Sequence, residues 1–179
     1  MLLWALMVTF ATGGDVEPLP YLPVLNPLDL SMLIALLVAF RWWQVNRSDA
    51  PVWWPNVLKG LAVVAFALAN GALLRAVHHL AFVPWKDNLL FASDTVQASL
   101  SLFWGVSGLV LAFIASRRNQ RVIWMVGAGL LGVVVAKLFL VDMANTGTVA
   151  RIVSFIGAGV LLLVVGYFSP LPPAKENTV

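Results

Sequence analysis

Three basic side chains lie close together within an apolar stretch near the middle of the chain. Arg75, His78 and His79 follow Gly71 in a segment otherwise rich in Leu, Ala and Val. Residues three or four positions apart share one face of an α-helix, so Arg75 shares a face with both histidines. Because an intramembrane arginine usually faces a bundle interior or a wet cavity, this face indicates a site for an anionic group, or a proton relay through the imidazoles. The alternative is that the side chains extend from the end of a span to the membrane interface.

A second group of charged residues lies nearer the C-terminus. Lys137 falls inside an apolar run, Asp142 near the end of that run, and Arg151 in the first turn of the next one. The helix dipole disfavours a cation in a first turn, so Arg151 needs a compensating carboxylate, for which Asp142 is the candidate. The group is interpreted as part of an outward-facing basic pocket or, alternatively, as a structural ion pair that locks a helical hairpin.

Other kinds of site are restricted by the residue types present. The chain has no cysteine, which excludes thiolate catalysis, disulfides and cysteine-ligated metals. His78 and His79 are adjacent, so their rings diverge by about 100° on a helix, and neither a metal site nor a cofactor is predicted. Asp94 and Gln97 open a later apolar segment and are interpreted as a capping box. The alternative is that Asp94 acts as a base, so no catalytic residue is assigned and enzymatic activity stays open.

Composition indicates that a membrane positions these residues. Hydrophobic residues make up 61% of the 179 positions and charged residues 11%, and the mean hydropathy is +0.92. Soluble domains are about half apolar and a quarter charged. The basic residues stand mostly at the ends of apolar runs. These features exclude a soluble enzyme, a disordered chain and an ordinary nucleic-acid-binding protein.

The predicted fold is an all-α polytopic transmembrane helix bundle with five spans and a short N-terminal helix, in a single domain. A span needs about 20 apolar residues. Asn26 followed by Pro27 predicts the start of the first span, with Asn as the N-cap. The segments are a short or partial helix at 1–12, an outer Pro-rich loop at 13–26, spans at about 27–44, 57–81, 94–116, 121–143 and 148–168, and a cytoplasmic tail at 169–179.

Charge asymmetry predicts the orientation. If the spans alternate, most Lys and Arg residues fall on one side and most Asp and Glu residues on the other. The positive-inside rule makes the first side cytoplasmic. We therefore expect a multi-pass protein of the bacterial inner (cytoplasmic) membrane with a cytoplasmic C-terminus. Membrane lipid is the expected partner, further transmembrane helices of a longer chain or complex are a second expectation, and no nucleic acid is expected.

Small residues predict where helices pack closely. They form one stripe on the third span and another on the fourth, and such stripes let helix backbones approach each other. The stripes comprise Gln97, Ser101, Gly105, Gly108 and Ala112, and Ala128, Gly132 and Ala136.

Three segments resemble a known family. They are YLPVLNPLDL at 21–30, KLFLVDMANTGTVARIVSFIGAGVLLLVVGYFSP at 137–170, and the third-span start with Gln97, Ser99 and Trp104 before a basic loop. Each is similar to a recurring feature of the bacterial predicted membrane proteins grouped as domain of unknown function 2339, from about Gly13 onward. The resemblance matches the C-terminal part of longer, many-span proteins, which implies a fragment or an open reading frame begun at an internal Met. It implies the fold and membrane location, and a family-like motif without an assigned role at Lys137, Asp142 and Arg151.

The leading hypothesis is a non-enzymatic transport or binding component of the bacterial envelope, with an outward-facing basic pocket for an anionic group. The alternatives are a membrane-embedded transferase that acts on a lipid-linked substrate at the outer face, with Asp94 or Asp142 as base, and a purely structural bundle subunit. The residues predicted to bind the anionic group are Arg75, His78, His79, Lys137, Asp142 and Arg151.

Overall fold

The computed structural model describes residues 1–15, 21–46, 51–52 and 54–138, and single positions between 156 and 167. The chain divides into two compact units, Met1–Leu100 and Ser101–Val179. Over the described residues, the regular secondary structure is helical, as the sequence predicts. The helices are α1 (Leu2–Ala11), α2 (Pro27–Val45), α3 (Trp54–Leu80), α4 (Asp87–Leu90), α5 (Asp94–Arg117) and α6 (Arg121–Lys137).

Three of these helices are long and apolar enough to cross a membrane. They are α2, α3 and α5, with 19, 27 and 24 residues. At about 1.5 Å per residue each approaches or exceeds the roughly 30 Å of a hydrocarbon core. Helix α1 has 10 residues and matches the predicted short N-terminal helix. Helix α6 covers 17 residues of the predicted fourth span, whereas 139–143 and most of the fifth span lie outside the described residues. The structure therefore describes three helices that could span a membrane, and the total of five spans stays a prediction.

Helix α2 begins where the sequence predicts. The Asn26 side chain accepts a hydrogen bond from the backbone N–H of Leu28 at 2.8 Å, and Pro27 occupies the first turn. This is the N-cap arrangement, which satisfies a backbone donor that the helix itself leaves unpaired. The Asn26 amide also donates to the Gly14 carbonyl at 2.7 Å. One side chain thus starts α2 and holds the preceding loop.

Two tryptophans join the end of α2 to the start of α3. The Trp43 indole N–H donates to the Trp54 carbonyl at 3.2 Å, and the Trp54 indole donates to the Trp43 carbonyl at 3.3 Å. Both side chains are buried and pack with Leu61. The two tryptophans therefore connect the helices directly, with each indole providing both apolar contact and a hydrogen bond.

Helix α1 packs against α2 and α3 through a small apolar cluster of Ala5, Met32 and Leu68. Further along α3, Gly71 meets α1 at Thr9. A Cβ atom at Gly71 would overlap the Thr9 hydroxyl and lie 3.1 Å from its carbonyl oxygen. The missing side chain therefore lets the α1 and α3 backbones approach closely, and this approach positions Thr9 for the site described below.

The end of α3 is held by the short helix α4 and the first turns of α5. The buried residues of this cluster are Leu74, Val77, Leu90, Val96 and Leu100. Helix α4 is absent from the predicted elements. Helix α5 begins at Asp94, and the Gln97 amide donates to the Phe91 carbonyl at 2.7 Å. Asp94 is therefore the first helical residue, which differs from the predicted capping box with Asp94 before the helix.

In the second unit, α5 and α6 touch at glycine. A Cβ atom at Gly127 would lie 2.7 Å from the Ala112 backbone nitrogen and 2.8 Å from the Gly108 carbonyl oxygen. The predicted stripe on the third span therefore does include contact residues. On α6 the buried residues are Gly127, Leu131 and Val134, while Gly132 of the predicted stripe has open space around it. Among the described residues, the contact with α5 therefore uses Gly127, which is not part of the predicted stripe on α6.

The exposed faces of the long helices are strongly apolar. On α2, the exposed fraction is 43% for Leu33, 58% for Ile34, 55% for Leu37 and 52% for Val38. An apolar face of this size on a helix of spanning length indicates contact with membrane lipid.

Candidate functional site

Arg75 is the largest fully buried side chain among the described residues, with 0% exposure. Its Nε donates to Asp29 Oδ1 at 3.0 Å, and Nη2 donates to the same carboxylate oxygen. On the other side, Nη1 donates to the Thr9 carbonyl oxygen at 2.7 Å and to the Thr9 hydroxyl at 3.1 Å. One guanidinium therefore connects α1, α2 and α3. We call Arg75 and Asp29 the buried pair.

The burial of Arg75 does not fit the alternative in which it extends to the membrane interface. A side chain that reaches the interface keeps its charged end in water, whereas this guanidinium is enclosed by Thr9, Asp29 and Met32. Asp29 is a first-turn residue of α2, where the helix dipole favours a negative charge. The same carboxylate thus stabilises the start of α2 and the buried cation.

Two buried polar atoms beside this pair have no hydrogen-bond partner among the described residues. They are Asp29 Oδ2 and the Tyr21 hydroxyl. Burial raises the pKa of the Tyr21 phenol, the Asp29 carboxylate raises it further, and Arg75 lowers it. The phenol therefore keeps its proton at neutral pH and remains a donor. One donor and one acceptor are thus available to a bound group.

His79 lies above the loop that follows α1. Its Nε2 donates to the Gly13 carbonyl at 2.9 Å and lies 3.7 Å from Asp15 Oδ1. The Tyr21 ring stacks on the imidazole, with the ring centroids 3.9 Å apart and the planes at 15°. Stacking and the hydrogen bond together hold the ring in one orientation.

His78 is held from the opposite side. Its Nδ1 donates to the Val83 carbonyl at 2.5 Å, and the Trp85 ring meets it edge-on with centroids 5.6 Å apart. A Cβ atom at Gly13 would lie 3.2 Å from His78 Nε2. Because Nδ1 carries the proton, Nε2 keeps its lone pair as an acceptor. We call Asp15, His78 and His79 the imidazole cluster.

An open cleft of about 490 Å³ reaches Asp15 of the imidazole cluster. It is lined by Val8, Thr12, Gly13, Gly14, Asp15 and Leu28. Gly14 has a φ of +78°, and a Cβ atom there would lie 2.8 Å from Arg75 Cδ. Only glycine fits both the backbone conformation and this contact. Residues 13–15, called the glycine segment below, therefore separate the cleft from the buried pair.

The structure thus brings Arg75, His78 and His79 together against the glycine segment. Lys137 lies in the second unit, where its Nζ donates to Ser101 Oγ at 2.7 Å and the side chain is half-buried. Asp142 and Arg151 lie outside the described residues. Sequence reasoning missed Thr9, Asp15 and Asp29 as members of the site. Asp29 could have been predicted from the sequence. A buried arginine requires a counter-charge, and Asp29 is an acidic residue at the start of the preceding span.

Comparison with known proteins agrees with the membrane assignment. The profile of a family described as predicted membrane protein (DUF2339) matches residues 1–172. No curated protein and no solved structure matches the chain. The match covers nearly the whole sequence, including the first helix and all three described helices of spanning length. The chain is an integral membrane protein that belongs to the DUF2339 family.

Proposed function

We propose that the protein is a binding or transport component of the membrane, with its ligand site at the end of α3. The observation that supports this most is the buried pair, which contacts the glycine segment that lines an open cleft. A buried ion pair seldom adds net stability compared with well-packed apolar residues. Ionisable residues within a span commonly mark substrate or ion pathways. The charges are therefore better explained by a ligand than by packing alone.

The ligand class we propose is an anionic group, such as a lipid phosphate or a glycan carboxylate. His78 and His79 would contact it, because their rings border the glycine segment. Arg75 is a positioning residue, because Asp29 and Thr9 already accept its hydrogen bonds. Lys137, Asp142 and Arg151 are kept as a separate proposed group of anion-binding residues, on the sequence pattern alone.

The local charge sets a condition on this proposal. Asp15 and Asp29 oppose an anion, and Arg75 offsets only one of the two carboxylates. Anion binding at the imidazole cluster therefore needs additional positive charge, either from protons on the imidazoles or from a bound cation. The metal site proposed below would provide such a cation.

We further propose that the protein lies in the bacterial inner membrane with its C-terminus in the cytoplasm. The support is the excess of Lys and Arg at alternate ends of the predicted spans. In this orientation the cleft faces outward. A reporter fused after Val179 should be active on the cytoplasmic side, and a periplasmic signal would reverse the orientation.

Ligand binding can be tested by native mass spectrometry of the full chain in a neutral detergent. We expect phosphatidylglycerol to be retained in preference to phosphatidylcholine, because only the former carries net negative charge. The His79→Ala variant should lose this preference. The matched control is Arg118→Ala, which removes an exposed cation from the loop after α5. Competition by inorganic phosphate would identify the phosphate itself, rather than the lipid, as the recognised group.

Two results would contradict the proposal. Equal retention of both lipids by the wild-type protein would remove the evidence for an anion site. An unchanged preference in His79→Ala, with an unchanged melting midpoint, would place any anion site elsewhere. If variants at Arg75 or His79 change only thermal stability, the structural-subunit alternative is the better description.

A further inference from the structure

We propose that Asp15, His78 and His79 form a binding site for a divalent transition-metal ion. One ligand atom from each of these residues lies within 4.8 Å of the other two. Two imidazoles and one carboxylate are a donor set that suits Zn²⁺ and related first-row ions, whereas Mg²⁺ and Ca²⁺ prefer oxygen ligands. The metal site itself is independent of the proposed function, but its suggested use, to hold an anionic group, rests on that function.

The distance between two of the ligand atoms is already close to that in a metal complex. Zn²⁺ binds nitrogen and oxygen at about 2.0–2.2 Å, so neighbouring ligand atoms in a tetrahedral site lie roughly 3.4 Å apart. His79 Nε2 and Asp15 Oδ1 are 3.7 Å apart. The Asp15 side chain is 72% exposed, so it can rotate to close this gap without disturbing packed neighbours.

His78 has the arrangement expected of a metal ligand. Metal-bound histidines usually donate their second ring N–H to a carbonyl or a carboxylate, which fixes the tautomer and the ring orientation. His78 Nδ1 donates to the Val83 carbonyl, which leaves the Nε2 lone pair available. That nitrogen lies beside Gly13, where a Cβ atom would stand only 3.2 Å from it, so any larger residue would crowd the proposed ligand.

His79 requires one rearrangement. Its Nε2 donates to the Gly13 carbonyl in this structure, so metal binding at Nε2 needs the ring proton on Nδ1 instead. The stacked Tyr21 ring maintains the imidazole plane during this exchange of tautomers. No proton is gained or lost overall, because the proton moves from one ring nitrogen to the other.

The charge distribution also favours a cation. The site contains two carboxylates, Asp15 and Asp29, against the single guanidinium of Arg75. Three protein ligands leave a fourth position on a tetrahedral ion for water or an anionic oxygen. A bound Zn²⁺ would thus give the imidazole cluster the positive charge that an anionic ligand needs.

The test uses the full chain in detergent, purified with an affinity tag that contains no histidine and treated with a chelator. Isothermal titration with Zn²⁺ should show one ion per chain, and Mg²⁺ should give no signal. Co²⁺ should produce visible absorption bands that Zn²⁺ removes. Asp15→Asn should weaken Zn²⁺ binding by at least about 10–100-fold, because loss of an outer-shell partner already costs that much and Asp15 is proposed as a direct ligand. Asp15 is exposed, so this variant should fold normally. The control Asp94→Asn removes another exposed carboxylate and should bind like the wild type.

The proposal is overturned if the wild-type chain binds no Zn²⁺, or if both Asp15→Asn and His79→Gln bind it with unchanged affinity. The lipid experiment separates this outcome from a failure of the proposed function. Phosphatidylglycerol preference without Zn²⁺ binding would overturn the metal site alone. Zn²⁺ binding that depends on Asp15, without any lipid preference, would support the metal site and overturn the anionic ligand.

Discussion

Replacing Asp29 by asparagine should destabilise the protein far more than so small a change in side-chain structure suggests. The substitution keeps the shape of the side chain but leaves the fully buried Arg75 without its counter-charge. Removing one partner of a buried ion pair typically lowers the free energy of unfolding by about 3–5 kcal/mol. A loss of that size changes the folding equilibrium constant by a factor of more than about 100.

The hydrogen bonds of Arg75 allow a graded series. Thr9→Val removes the hydroxyl acceptor but keeps the Thr9 carbonyl, so it should lower stability by about 1.5–3 kcal/mol, the usual value for a hydrogen bond to a charged group. In the double variant Arg75→Met with Asp29→Leu, both charges are replaced by apolar groups. Its stability should be close to that of the wild type.

Reversible unfolding in mixed micelles, followed by tryptophan fluorescence, measures these free energies. The effects of the single variants Arg75→Met and Asp29→Leu should be strongly non-additive in the double variant, because each removes the same interaction. If Asp29→Asn lowers stability by less than about 1 kcal/mol, the pair is solvated and the burial argument fails. If the losses simply add in the double variant, the two charges are not partners.

Two further predictions concern packing and an unpaired hydroxyl. Gly127→Ala should lower the melting midpoint of the second unit, because the added Cβ would meet the α5 backbone. Gly129→Ala on the same helix has open space around it and should leave the midpoint unchanged. Equal midpoints for the two variants would contradict the α5/α6 contact. Tyr21→Phe should leave stability unchanged or raise it by up to about 1–3 kcal/mol, because the buried hydroxyl has no partner among the described residues and the ring keeps its stacking on His79. A clear loss in the same unfolding assay would show that the hydroxyl is hydrogen-bonded.

The boundaries of the helices were largely predictable from the sequence. Asn26 and Pro27 start α2 through local chemistry, since a cap and a fixed φ depend only on neighbouring residues. The bounds of α2, α3 and α5 follow from apolar runs long enough to cross a membrane. The last five residues of the predicted fourth span and most of the fifth lie outside the described residues, so the count of five spans stays a prediction.

The composition of the site was only partly predictable. Helical spacing was enough to place Arg75 with His78 and His79, because this relation lies within one helix. It could not supply Thr9, which contacts Arg75, or Asp15, which lies beside His79, because both precede α3 by many residues and meet it only through tertiary packing. The expectation of no metal site considered only the direction of adjacent side chains on one helix. The proposed metal site depends on tertiary structure as well, since the two ring centroids are 4.6 Å apart and Asp15 lies near them on another segment.

The glycine segment connects the start of α2 to the imidazole cluster. The Asn26 side chain caps α2 and also donates to the Gly14 carbonyl, while the Gly13 carbonyl accepts from His79. The residue that starts α2 therefore holds the same loop that contacts the imidazole cluster. A ligand that moved this loop would act on the cap of α2, and Asp29 lies in the first turn after that cap. The buried pair and the imidazole cluster are thus linked through short, specific hydrogen bonds, so a substitution in the glycine segment should affect both.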